Sequence, residues 1–283
     1  MASKIERLAW EYNDFMLSRR YFRILKFFAI SILGFIWWEV VLPKLGLRKL
    51  SRATRSKRIR RMAQGFRELA IAMGGVMIKV GQFLSARLDV MPSEVTDELS
   101  GLQDKVQAEP FGLIQALIES EFGKPLEQIF SEFEPIPFAS ASIGQVHIAR
   151  LCMQDNDSLE CPEVVVKVQR PKIEEIVRVD LSAFQIVARW LQKYKPIRKH
   201  VDLPKLLDEF SHTLYEEIDY MHEGKNAEIF AGNFKDLKKV RVPQVIWSHT
   251  TKRVLTLENV LGIKITDYEA IDGAGIDRGA VAK

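Results

Sequence analysis

Cysteine is scarce here, with two in 283 residues, Cys152 and Cys161. That excludes a disulfide-built scaffold. Both flank a polar stretch, Met153 to Ser158, which reads as a hairpin loop, and free thiols in a reducing compartment are expected. No internal repeat or low-complexity tract is present, so solenoids and fibrous assemblies are set aside. The first twenty residues are mixed and charged, which is not the pattern of a cleavable secretory signal. Acidic residues are missing from Lys44 to Arg61, where nine Lys or Arg stand. An RNA-type aromatic motif is also missing, so a basic nucleic-acid binder ranks low and no nucleic-acid partner is expected.

What is present suits a globular chain: 47% hydrophobic and 28% charged residues with a net charge of +4. The length holds one large domain or two small ones. The segment Phe27–Leu42 is apolar on all sides, but shorter than the ~20 residues that span a bilayer. Glu39 and the Trp37–Trp38 pair fit a water–lipid boundary. The basic block after it would meet anionic headgroups. Three readings stay open: a peripheral or partly inserted anchor, a true span, and a helix packed on the domain. Basic residues lie on both sides of the run, so they give no clear orientation.

The chain is organised around Pro137–Ala149 and the Val164-Val165-Val166-Lys167 that follows. These read as strand, phosphate-facing turn, strand, loop, strand. The turn is small (Ala139, Ser140, Ala141, Ser142, Ile143, Gly144), so backbone N–H groups can approach phosphates closely. Lys167 ends an apolar run that would deliver an ammonium to the same phosphates. Alanine replaces most of the glycine of a kinase loop, and alanine resists positive φ, so a stiffer loop is expected.

Ala-Ser-Ala-Ser-Ile-Gly-Gln-Val-His followed by Val-Val-Val-Lys-Val-Gln-Arg-Pro resembles the UbiB and AarF-domain-containing kinase family of atypical kinases. The resemblance covers roughly residues 60–283. It implies an α+β fold: a protein-kinase-like N-lobe, antiparallel sheet plus helices, behind an N-terminal helical extension, with the C-lobe largely absent. The implied divisions are 1–59, a membrane-proximal helical segment; 60–132, a helical extension; 133–261, N-lobe and hinge; and 262–283, the start of a C-lobe.

The resemblance also implies roles for particular residues. Lys79, Gly81 and Gln82 match a Lys-x-Gly-Gln signature that folds over the nucleotide site. Glu217 and Asp219 match a Glu-x-Asp signature facing it. Glu223 would pair with Lys167. Ala139 to Gly144 would cover the phosphates, with Val146, Lys167, Glu258 and Val260 completing the nucleotide site. Backbone groups from Glu258 to Val260 would bond adenine.

By the residues alone, 60–107 reads as helices, with Ser93 as an N-cap. Residues 111–130 read as an amphipathic helix broken at Gly123-Lys124-Pro125. Ile173–Tyr194 has helical spacing, and Arg241–Trp247 and Arg253–Val260 read as two strands. The family's catalytic loop and Asp-x-Gly metal site should follow the hinge, so no catalytic residue and no metal ligand is assigned. His200-Val201-Asp202 and Asp277-Arg278-Gly279 have the right letters in the wrong places. The implied ligand is ATP or ADP, with Mg²⁺ expected for the family but without ligands here. The implied activity is ATP hydrolysis or small-substrate phosphorylation supporting quinone-lipid biosynthesis on the cytoplasmic face of a membrane. Quinone-biosynthesis proteins are the implied partners. A non-catalytic, pseudokinase-like regulatory module is the alternative.

Overall fold

The computed structural model describes residues 2–87, 91–102, 107–151, 153–155, 158–237, 239–260 and 262–281. The chain opens with α1 (Ala2–Ile36), a π turn (Trp37–Val41) and α2 (Leu42–Lys44), one nearly continuous helix. It reverses at Gly46, whose φ of +85° favours glycine. α3 (Arg48–Met73) then runs back antiparallel to α1, with Phe66 against Phe28 and Arg58 against Glu39. The stretch Met16–Lys44 is long and apolar enough to cross a membrane by length and composition, a longer helix than the apolar run alone suggested.

Two hydrophobic cores follow. The first is helical: α1 and α3 pack with α4 (Val76–Ala86), α5 (Ser93–Leu99), α8 (Ile173–Gln192) and α10 (Leu203–Glu217). α8 carries Ile173, Val177, Leu181 and Phe184 on one buried stripe, the spacing expected of a core-facing helix. α1 lies parallel to it. Phe28 meets Phe184, and Phe35 meets Tyr194. Arg20 grips the fully buried Asp180 with two 2.6 Å bonds and also donates to the Met73 carbonyl at 2.7 Å. Burial pushes the Asp180 carboxyl up, and the Arg20 guanidinium pulls it back in part.

The second core is the outer face of an antiparallel sheet. Its order is β1 (Glu132–Phe133), β3 (Gly144–Arg150), β6 (Glu163–Gln169), β7 (Val254–Glu258), with β2 (Ala139–Ser140) also on β3. Val164, Val166 and Val168 point outward under α6 (Phe111–Phe122) and α7 (Leu126–Ile129). β4 (Met153–Asp155) and β5 (Ser158–Glu160) form a separate hairpin. α9 (Lys195–His200), α11 (Tyr220–Phe234), α12 (Tyr268–Gly273) and α13 (Arg278–Val281) complete the described helices. This is an α+β arrangement with a kinase-like N-lobe behind a helical extension.

Several local expectations change. Arg241–Trp247 forms no strand; it meets the sheet at one bridge, Val245 to Leu257, because Pro243 brings no N–H to a ladder. Ser93 is the first helical residue of α5 and makes no side-chain cap, since Pro92 takes the cap position. Cys161 is disulfide-bonded rather than a free thiol. It directly follows the hairpin strand β5. Cys152, the only other cysteine, lies outside the described residues. The bonded Cys161 lends no support to a reducing compartment.

Candidate functional site

Register decides which side chains share the inner face of the sheet. Val146 pairs with Lys167, and Lys167 with Leu255; Ile148 pairs with Val165, and Val165 with Leu257. Directly paired residues point the same way. Lys167 therefore stands on the face opposite the outer valines, beside a half-exposed apolar row of Val146, Ile148, Val165 and Leu257. Such a row suits one side of a planar ring. Val165 and Leu257 were not singled out from sequence, although Val165 sits two residues before Lys167 and strand alternation places it there.

α11 closes the inner face at the other end. Lys167 Nζ lies 2.7 Å from both carboxylate oxygens of Glu223. Tyr220 places its ring 4.8 Å from the same ammonium. Its hydroxyl is wholly buried, with no hydrogen-bond partner among the described residues, and burial raises its pKa strongly. A Cβ on Gly144 would overlap that hydroxyl and come within 2.7 Å of the Val168 carbonyl oxygen. Gly144 is thus required by close approach. No residue from Ala139 to Gly144 has positive φ, so the alanines carry no backbone strain.

The turn is pinned from below. Its Ala141 N–H donates to the Gly144 carbonyl at 2.8 Å, and Arg170 N–H donates to Ile143 O at 2.9 Å. The Arg170 guanidinium donates to Ala141 O at 3.1 Å, Ser140 Oγ at 3.1 Å and Gln107 O at 2.6 Å, and pairs with Glu109. Ile143 is buried in the helical core, and Ser142 is buried beside it. Behind the turn, Glu109 N–H donates to Gln145 Oε1 at 2.8 Å, and Gln145 Nε2 lies 2.8 Å from His147 Nε2. With Gln145 as donor there, His147 carries its proton on Nδ1, 2.7 Å from Glu134 O. Burial lowers the His147 pKa, which suits this neutral tautomer.

The extension meets the lobe at a second ion pair, Lys79 with Glu217. Gly81 lies where a Cβ would overlap Leu102 and press on Phe66 at 3.4 Å, so it is a packing glycine. Gln82 is half-buried on the same helix. Asp219 does not join the Lys79 pair. It caps α11, accepting from Met221 N–H at 3.1 Å and His222 N–H at 3.4 Å. The proposed hinge ends β7. Glu258 N–H donates to Gln244 O at 2.8 Å, and its carboxylate, bonded to Arg241, is held below the usual range. Val260 is half-buried beyond it. Of the two misplaced motifs, Asp202 caps α10 through Lys205 N–H, and Asp277 accepts from Gly279 N–H, so both are spent locally.

An N-lobe sheet with a lysine–glutamate pair under a small-residue turn, overlaid by a helical extension, defines a protein-kinase-like protein of atypical loop. Residues 101–283 match the ABC1 atypical kinase-like domain, and the chain belongs to that family. It is 40% identical to Protein ACTIVITY OF BC1 COMPLEX KINASE 8, chloroplastic, of Arabidopsis thaliana, over 88% of this chain and 33% of that one. It is 36% identical to protein sll1770 of Synechocystis, over 98% of this chain and 46% of that one. A probable protein kinase UbiB of Xanthomonas axonopodis is 38% identical over 74% of this chain and 37% of its own. The chain thus spans between a third and a half of the length of these relatives.

Proposed function

We propose that this chain binds ATP or ADP on the inner face of its sheet and serves an atypical kinase or ATPase acting in quinone-lipid biosynthesis at the cytoplasmic face of a membrane. The observation that supports this most is the Lys167–Glu223 pair. A carboxylate holding the ammonium by both oxygens fixes its direction beneath the turn, as a phosphate-binding lysine requires. The row Val146, Ile148, Val165 and Leu257 would floor the adenine, and the edge near Glu258 and Val260 would bond it. Ala139, Ser140, Ala141, Ser142, Ile143 and Gly144 would lie over the phosphates. The Lys79–Glu217 pair would hold the extension against the lobe, with Gly81 and Gln82 on the helix that carries Lys79 and Asp219 capping the helix that carries Glu223. Quinone-biosynthesis proteins are the proposed partners.

Mg²⁺ does not fit the residues present. Among the described residues no three His, Cys, Asp or Glu side chains converge, and the carboxylates of Glu223, Glu217 and Glu109 are each paired with a cation. The alternative reading is a non-catalytic, pseudokinase-like regulatory module that binds nucleotide. Both readings share one test. ATP and ADP, each with and without Mg²⁺, should raise the melting temperature of the wild type, and Lys167→Ala should abolish most of that rise. An equal rise in the variant would remove Lys167 from the site.

A further inference from the structure

We propose that the chain enters an anionic lipid surface through the turn of its N-terminal helical hairpin, without crossing it. This rests on the membrane reading above and goes beyond it by naming the inserting residues and the headgroup seat. The inner face of α1 is already occupied, since Arg20, Ile24 and Phe28 lie on the helical core or α8. Its outer face exposes Ile30, Leu33 and Trp37, at 59%, 66% and 51%, in helical i, i+3, i+7 spacing. The exposed row continues past the reversal at Gly46 with Leu45, Leu47 and Leu50. An outer apolar stripe with basic flanks is the pattern of a helix that lies in the interface.

A crossing is opposed by α3. Ser51 Oγ donates to Trp38 O at 2.8 Å, and Arg58 bonds Glu39 at 2.7 Å and stacks 4.5 Å from the Trp38 ring. The basic helix is therefore fastened along the segment that would cross, and its arginines would follow it into hydrocarbon, where cations are costly. Glu39 and Trp38 face α3, leaving Trp37 as the ring of that pair turned outward.

The tip also holds a recess lined by Glu39, Pro43, Lys44, Arg48, Ser51, Arg52 and Arg55. Glu39 is neutralised by Arg58 and lies 3.7 Å from Arg55. Lys44, Arg48 and Arg52 have no ion pair among the described residues. Three cations around one recess beside an apolar tip match a lipid phosphodiester with its acyl chains below.

The test is co-sedimentation with vesicles of phosphatidylcholine alone and with roughly a quarter phosphatidylglycerol, where each cation removed should weaken binding about five-fold. Wild type should bind the anionic vesicles. Arg48→Glu with Arg52→Glu, and separately Leu45→Gln with Leu47→Gln and Leu50→Gln, should each lose most of that binding while melting as wild type does. Tail-brominated lipid should quench fluorescence in wild type more than in Trp37→Phe. Wild-type binding by both tip variants would overturn the inference and leave the membrane reading standing. Failure of wild type on every vesicle would remove both. Resistance to alkaline carbonate extraction would overturn it in favour of a span. Displacement by soluble glycerol phosphate at constant ionic strength would overturn it in favour of a free-phosphate site.

Discussion

At Gly144 a backbone hydrogen atom faces the Tyr220 hydroxyl, and the pair decides what each position tolerates. Gly144→Ala should cost roughly 1–3 kcal/mol as an overpacking change. Tyr220→Phe removes a buried hydroxyl that has no partner among the described residues, so stability should hold or rise, within about 1 kcal/mol. Combining the two should recover part of the alanine cost. Recovery is partial because the Val168 carbonyl, 2.7 Å from the added methyl, remains. Urea titration of the four proteins measures this. Strictly additive effects would mean that the two residues do not meet. The sequence could not reveal this contact. It shows alanine where a kinase loop has glycine, and φ preference is the natural argument from letters. The φ values remove that argument, and a tyrosine 76 positions away supplies the actual one.

Among the elements, the turn depends on Arg170, which joins β2, the turn itself and the segment entering α6. Lysine has one compact ammonium and cannot reproduce that planar fork. Arg170→Lys and Arg170→Met should each cost roughly 1–3 kcal/mol, because the buried guanidinium gives up its set of part-buried hydrogen bonds. Both should reduce the ATP-induced melting shift more than a surface change of equal destabilisation. A normal shift would show that the turn keeps its shape unaided. The motif Val-Gln-Arg-Pro displayed this arginine in plain view, yet only the fold shows what it holds. Lys167, Glu223 and the Lys79–Glu217 approach were legible because motif order carries a family's long-range pairing. Val165 was legible through strand alternation. Arg241–Trp247 looked like a strand because its apolar residues alternate, and Pro243 breaks the ladder that alternation implies. The hairpin reversal at Gly46 was hidden, since apolar segment and basic block read as successive features and not as neighbours side by side.

Over the whole molecule the two cores do not follow chain order. α6 and α7 precede the sheet and cover it, while α8 and α10 fall between β6 and β7 in the chain and pack with the first helices. Ile143, at the tip of the small-residue turn, is buried in the helical core and so ties the two together. A boundary near residue 59 would suggest that the opening helix is an accessory anchor. The packing argues otherwise. Without residues 1–59, Phe184 loses Phe28, the core loses Ile24, and Asp180 is left buried without Arg20. Each lost apolar side chain is worth about 1.5–3 kcal/mol. An unpaired buried carboxylate adds roughly 3–5 kcal/mol. The total approaches the whole stability of a typical domain. A chain starting at residue 60 should therefore melt well below the full chain and bind a hydrophobic dye at room temperature. Arg20→Ala in the full chain should give the carboxylate's share of that loss alone. If the shortened chain melts as the full one does, α1 is an anchor after all, and the exposed tip would be its principal business.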